Sequence, residues 1–202
     1  GAADRLFINT SGIGVVPAGV AVSSRGARPG DRVILSGSLA DHGVSVLARR
    51  EGISFDLSIV SDTAPLNHMV AAMLAAAPGV HVLRDPTRGG LGTALNEIAE
   101  QSGVGVLMRE DRVPVKPEVA GLCELLGLDP IYLANEGKLI AFVAPQDADA
   151  VLAAMHSDPR GREAVVIGEA TAEHPGKVFM RTRIGGTRIV DMLTGEQLPR
   201  IC

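Results

Sequence analysis

The chain has 202 residues, 46% of them hydrophobic and 21% charged, enough apolar surface for one ordinary core or for a core plus part of a second domain. Aromatic residues are only 2%, Trp is absent and the net charge is -4. Without a basic stripe or stacking platforms the chain is unsuited to DNA, RNA or anionic membranes. The longest apolar run, Met69 to Ala77, falls far short of the roughly 20 residues of a membrane span. The opening Gly1-Ala2-Ala3-Asp4-Arg5 lacks the basic start and apolar stretch of a signal peptide. Two distant cysteines make no disulfide framework. A soluble, cytoplasmic protein with an aliphatic core is the simplest reading.

In chain order, Leu6 to Ile8 and Val15 to Val22 read as strands, so the chain opens in mid-sheet, as a fragment would. Asp31 to Leu39 reads as a further strand. A helix from His42 to Arg50 follows, with Asp41 placed to cap it. A second helix is predicted over Ala64 to Ala76, capped by Asp62 or Thr63, with Pro65 in its first turn and Gly79 just past its end. Val80 to Leu83 reads as a short strand. It leads through Asp85-Pro86-Thr87-Arg88-Gly89-Gly90 into a helix that ends near Gly103. Val104 to Met108 is a strand, and Lys116 to Leu126 a helix opened by Pro117 and stopped by Gly127. Then come a strand over Leu139 to Val143, a helix over Asp147 to Met155, and strands over Val165 to Ala170 and Lys177 to Arg183. Gly185-Gly186 turns the chain back through Thr187 to Asp191. Met192 to Cys202, with Pro199, has no period and reads as an extended, mobile arm. The expected class is α/β (α+β): a mixed sheet with helices packed on one side, then a hairpin and a tail.

Three motifs carry chemistry. Asp85-Pro86-Thr87-Arg88-Gly89-Gly90 puts a carboxylate, a hydroxyl and a guanidinium where a strand hands over to a helix. Free N–H groups and the helix dipole there favour an anion, and glycines let a ligand approach the backbone. A helix start with glycines for tight packing explains the segment equally well. It is no P-loop, and Gly12-Ile13-Gly14-Val15-Val16-Pro17 fails as a dinucleotide fingerprint, with Pro where the third Gly belongs. Asn135-Glu136-Gly137-Lys138 sits just before a strand. Its carboxylate and amine could serve proton transfer, or be an exposed turn. The five histidines are scattered without ligand spacing, and Cys123 lies at helical spacing with Val119, Leu122 and Leu126, so it reads as core. Cys202 ends the chain. Its own α-carboxylate disfavours the thiolate while Arg200 pulls the other way. Such a thiol suits a tethered carrier, or is incidental.

Together, Ile8-Asn9-Thr10-Ser11-Gly12-Ile13-Gly14, the Asp85 to Leu91 segment, Asn135-Glu136-Gly137-Lys138 and the ending Pro199-Arg200-Ile201-Cys202 resemble the HypE family of hydrogenase maturation factors, the carbamoyl dehydratases. The resemblance spans essentially the whole chain. It implies a PurM C-terminal-like fold, related to aminoimidazole ribonucleotide synthetase and selenophosphate synthetase. It also implies that residues 1–24 end a first PurM-like domain, 25–176 form the second, and 177–202 are a hairpin and tail. ATP and Mg2+ would be bound mainly by the first domain, with no cofactor or metal expected in this chain. The implied reaction dehydrates a carbamoyl group on Cys202 to a thiocyanate, the source of cyanide for the iron of nickel–iron hydrogenase. HypF is the implied carbamoyl donor, the HypC–HypD complex the acceptor, and a homodimer the full-length state. Glu136 is the implied proton acceptor, with Asp85, Thr87, Arg88, Gly89 and Gly90 around phosphate or tail. The competing readings are another PurM-like synthetase, such as selenophosphate synthetase, and a non-catalytic docking module.

Overall fold

The structure is a computed structural model in which residues 11–52 and 59–193 are described. Its centre is a sheet of seven strands: β1 (Arg32–Leu35), β2 (Val80–Arg84), β3 (Gly105–Arg109), β4 (Ile140–Val143), β5 (Val165–Thr171), β6 (Val178–Arg181) and β7 (Thr187–Ile189). They lie in the order β2-β4-β1-β5-β3-β6-β7. Only β3 and β6 run parallel; every other neighbouring pair is antiparallel. The mixed sheet expected from the sequence is present.

Among the described residues five α-helices pack on it: α1 (Asp41–Arg50), α2 (Asn67–Ala76), α3 (Gly90–Ser102), α4 (Pro117–Leu126) and α5 (Ala148–His156). They do not share one side, as the sequence reading had it. Val33 and Leu35 of β1 face a core built with Val44 of α1, Leu95 and Ile98 of α3, and Val119 and Leu122 of α4. Ile34, between them, faces a second core with Met69 and Met73 of α2 and Val151 and Met155 of α5. Successive strand side chains point to opposite faces, so a strand buried on both sides reads as an unbroken apolar run. All four residues of β4 are buried in this way.

Local differences follow from long-range contacts. Val15 to Val22 is irregular chain, with Ile13, Val15 and Val16 exposed. Leu6 to Ile8 lies outside the described residues. Asp41 opens α1 without capping it; the residue before it, Ala40, takes the left-handed conformation at φ 72. α2 begins at Asn67, and neither Asp62 nor Thr63 caps it. α4 stops where expected, at Gly127, whose φ of 67 satisfies a helix C-terminus that other residues resist. Val178–Arg181 and Thr187–Ile189 form the C-terminal hairpin around Gly185.

One end of the sheet gathers three loops. Leu35, the last residue of β1, pairs with Ile140, the first of β4. Arg84, the last of β2, pairs with the same Ile140 on its other side. The chain leaving β1, the chain leaving β2 and the chain entering β4 therefore emerge together.

Candidate functional site

Asn135 fastens the three loops to one another. It is fully buried. Its Oδ1 accepts the N–H of Ala40, in the loop after β1, at 2.8 Å. Its Nδ2 donates to the carbonyls of Leu133 at 2.9 Å and Pro86 at 3.3 Å, and its own N–H also reaches Pro86. Gly90 seals the contact: at φ +62, a Cβ there would lie 2.5 Å from the carbonyl oxygen of Ile131 and 2.6 Å from that of Leu133. The motif after β2 and the motif before β4 thus form one surface.

A fourth segment, residues 59–66, lies over the Glu136 turn. Asp62 Oδ1 accepts the backbone N–H of Glu136 at 3.0 Å. Its Oδ2 stands 3.4 Å from the Lys138 ammonium, a charge contact rather than a hydrogen bond. The turn is pressed so close that a Cβ on Gly137 would fall 1.7 Å from the Asp62 carbonyl oxygen.

Asp62 and Lys138 border a cleft of about 370 Å³ whose charged lining is Asp41, Asp62, Lys116, Lys138, Arg160, Arg162 and Glu163. Four cations face three carboxylates there. Asp41, almost wholly buried, accepts the Ser38 hydroxyl at 2.8 Å and pairs with Lys116 at 2.7 Å. That hydrogen bond raises the Lys116 ammonium above its usual range, against the opposing effect of burial. Lys138 passes beneath Gly37, where a Cβ would stand 3.2 Å from its Cε. Among the described residues, Asp41 Oδ1 and Asp62 Oδ2 are buried without a hydrogen-bond partner. An unsatisfied buried acceptor costs about 1–3 kcal/mol, so each is an expense to the fold.

The expected site residues are distributed as follows. Glu136 is half-buried, with its backbone held by Asp62. Asp85 is exposed and accepts the Thr87 hydroxyl at 3.0 Å. Arg88 is exposed and has no hydrogen bond or ion pair to a described residue. Gly89 (φ +65) and Gly90 deliver the chain into α3 in two successive left-handed steps. Cys202 lies outside the described residues. The other cysteine, Cys123, is buried, and burial pushes its thiol up to about 11, so it is inert at neutral pH.

Sequence reasoning missed Asp62 and Lys116 as members of this site, and set Asp41 aside as a helix cap although it could orient a ligand. Asp41 and Asp62 each precede a helix pattern, which is the signature of a cap, and nothing local marks the partners they meet. Among the described residues no group of three or more His, Cys, Asp or Glu could hold a metal ion. Lysines already stand on the two buried carboxylates, so these residues do not fit a Mg2+ ion.

The sequence pattern described as AIR synthase related protein, C-terminal domain, matches residues 28–181. The chain belongs to that family. Within the AIR synthase related family it is 58% identical, over all 202 of its residues, to the carbamoyl dehydratase HypE of Cupriavidus necator, of which it spans 58%. A crystal structure of the hydrogenase maturation protein HypE in complex with ATP superimposes with a TM-score of 0.85 at 46% identity, covering 90% of this chain and 55% of that one. A crystal structure of a HypE–HypF complex matches with a TM-score of 0.81 at 42% identity, covering 84% and 55%. The resemblance read from the four motifs is borne out, and so is the PurM-like fold of this AIR synthase related domain.

Proposed function

We infer that this chain is the portion of an ATP-dependent carbamoyl dehydratase that carries the acceptor thiol and the proton acceptor. The observation that carries the reading is the Glu136 turn, tied by Asn135 to the loop of Asp85 to Gly90 and by Asp62 to the segment 59–66, in a chain so similar to enzymes named carbamoyl dehydratase. The chain spans about 58% of its curated relative, so the activity belongs to the intact protein.

The chemistry is as follows. The thiocarbamate on Cys202, Cys–S–C(=O)NH2, is phosphorylated on oxygen by ATP, giving Cys–S–C(=NH)–O–phosphate, ADP and a proton. An amide oxygen is a very poor leaving group and phosphate is a good one. Glu136 takes the remaining N–H proton as the C–O bond breaks and C≡N forms, yielding Cys–S–C≡N and inorganic phosphate. In sum, the elements of water leave the carbamoyl group and are used in cleaving ATP. Arg88 and the N-terminus of α3 face developing phosphate charge with fixed donors. Asp85 and Thr87 brace that loop, and Gly89 and Gly90 let the phosphate approach the backbone. Mg2+ would supply charge neutralisation on the phosphates, and the lysine-paired carboxylates of this cleft would not hold it.

HypF is the proposed carbamoyl donor, the HypC–HypD complex the cyanide acceptor, the homodimer the intact state and the cytoplasm the location. Residues 1–24, 25–176 and 177–202 are the proposed division of the chain. The decisive experiment is mass spectrometry of the intact protein incubated with HypF, ATP and carbamoyl phosphate. A carbamoyl mass on Cys202, turning into a mass lower by one water, is expected. Carbamoylation of a Cys202→Ala variant would refute the assignment. A chain that captures HypF but never gains mass would establish a docking module instead.

A further inference from the structure

Asp62 is an odd residue for a purely structural place. Its side chain is 2% exposed, yet one of its two oxygens has no hydrogen bond among the described residues. What the carboxylate touches is specific: the N–H of Glu136 through Oδ1 and the ammonium of Lys138 through Oδ2. Both contacts lie 74 residues or more away in sequence, and both fall on the one turn that carries the proposed proton acceptor. Gly137 lies between them against the Asp62 backbone, so Asp62 meets three successive residues of the turn.

We propose that Asp62 is a positioning residue for the reaction. It fixes the backbone of Glu136, and with it the direction from which that carboxylate meets the amide proton. The ion pair to Lys138 keeps the turn from rotating about the Asp62–Glu136 bond. A general base must sit within hydrogen-bond reach of the proton that it takes, so a loss of about 1 Å in placement reduces rate far more than it reduces binding. This inference rests on the assignment of Glu136 as the proton acceptor.

The neighbouring bonds give a control. The N–H of Asn135 is held by Pro86 at 3.2 Å and that of Leu139 by Ser36 Oγ at 3.0 Å, neither through Asp62. In amide hydrogen exchange on the 202-residue chain, Asp62→Ala should lower the protection of the Glu136 amide at least 10-fold. The Asn135 and Leu139 amides should stay within 3-fold. Asp62→Asn keeps an acceptor for Glu136 and should retain its protection. In the intact enzyme, Asp62→Ala should lower kcat for phosphate release at least 30-fold with KM for ATP within 3-fold, and Asp62→Asn should restore activity to within 5-fold of wild type. Unchanged kcat in Asp62→Ala, or loss of protection at all three amides with equal loss of rate in both variants, would overturn the proposal. Glu136→Gln separates the two readings. If it releases phosphate at the wild-type rate, the proton acceptor is misassigned; if it is inactive while Asp62→Ala is active, only the positioning role falls.

Discussion

The side-chain Oδ1 of Asn135 accepts the backbone N–H of Ala40 at 2.8 Å, across 95 positions of sequence. Ala40 sits at φ 72, in a conformation that an alanine takes only under external constraint. Truncating Asn135 to Ala would leave that buried N–H, and the carbonyl of Leu133 that Nδ2 serves, short of partners. The expected loss is about 2–4 kcal/mol of stability in urea unfolding. Asn135→Asp should lose nearly as much, because it keeps the acceptor for Ala40 but puts an acceptor where Leu133 and Pro86 need a donor. Wild-type stability in Asn135→Ala would mean that the three loops are held by other contacts.

Two glycines, Gly137 and Gly121, should respond to alanine with opposite sign. At Gly137 a Cβ would meet the Asp62 backbone at 1.7 Å, and neither side can yield without moving a loop. At Gly121, inside α4, a Cβ meets nothing within 4 Å. Gly121→Ala should therefore raise stability by about 0.5–1 kcal/mol through helix propensity and a less flexible unfolded chain. Gly137→Ala should lower it by about 1–3 kcal/mol through overpacking. Paired thermal melts decide the matter: the two midpoints must move in opposite directions.

How far the sequence announces this fold depends on how local the signal is. Gly127 at the end of α4 and Pro117 at its start are decided by neighbours one turn away, and both are where the pattern puts them. The two-sided burial of the sheet was written in the apolar runs of β1 and β4, but strand periodicity is easily read as one-sided when helices surround it. Asp62 and Asp41 were not legible as site residues. A carboxylate before a helix pattern is the common cap, and only the folded chain brings Asp62 to Glu136 and Asp41 to Lys116. Glu136 and the glycines after Arg88 were singled out because their motifs resemble a family pattern, not because spacing alone excluded an ordinary turn, and their roles stand as proposals.

Arg88 offers a clean separation of function from stability. It is exposed and unpaired among the described residues, next to the two left-handed glycines that open α3. A guanidinium that serves only phosphate has no folding role to lose. Arg88→Ala should leave the unfolding midpoint within about 0.5 kcal/mol of wild type. Loss of a charge-assisted contact should slow phosphate release by the intact enzyme about 10- to 100-fold. An unchanged rate would remove Arg88 from the phosphate site.

The pair of Lys116 and Asp41 ties stability to alkaline pH. The ammonium lies 2.7 Å from a nearly buried carboxylate oxygen, and this bond raises its pKa above the ordinary 10.5. A group whose folded pKa is raised stabilises fully below its unfolded value, and the contribution disappears as pH climbs through the folded one. Because the lysine side chain is 44% exposed, screening keeps the effect modest. Lys116→Met should lose about 1–2 kcal/mol at pH 7, with Asp41 left to the Ser38 hydroxyl alone. The gap between wild type and variant in urea unfolding should hold constant from pH 7 to about pH 10 and close above it, as the wild-type lysine gives up its proton. A gap that widens with rising pH would mean that the lysine is held by something other than the Asp41 charge.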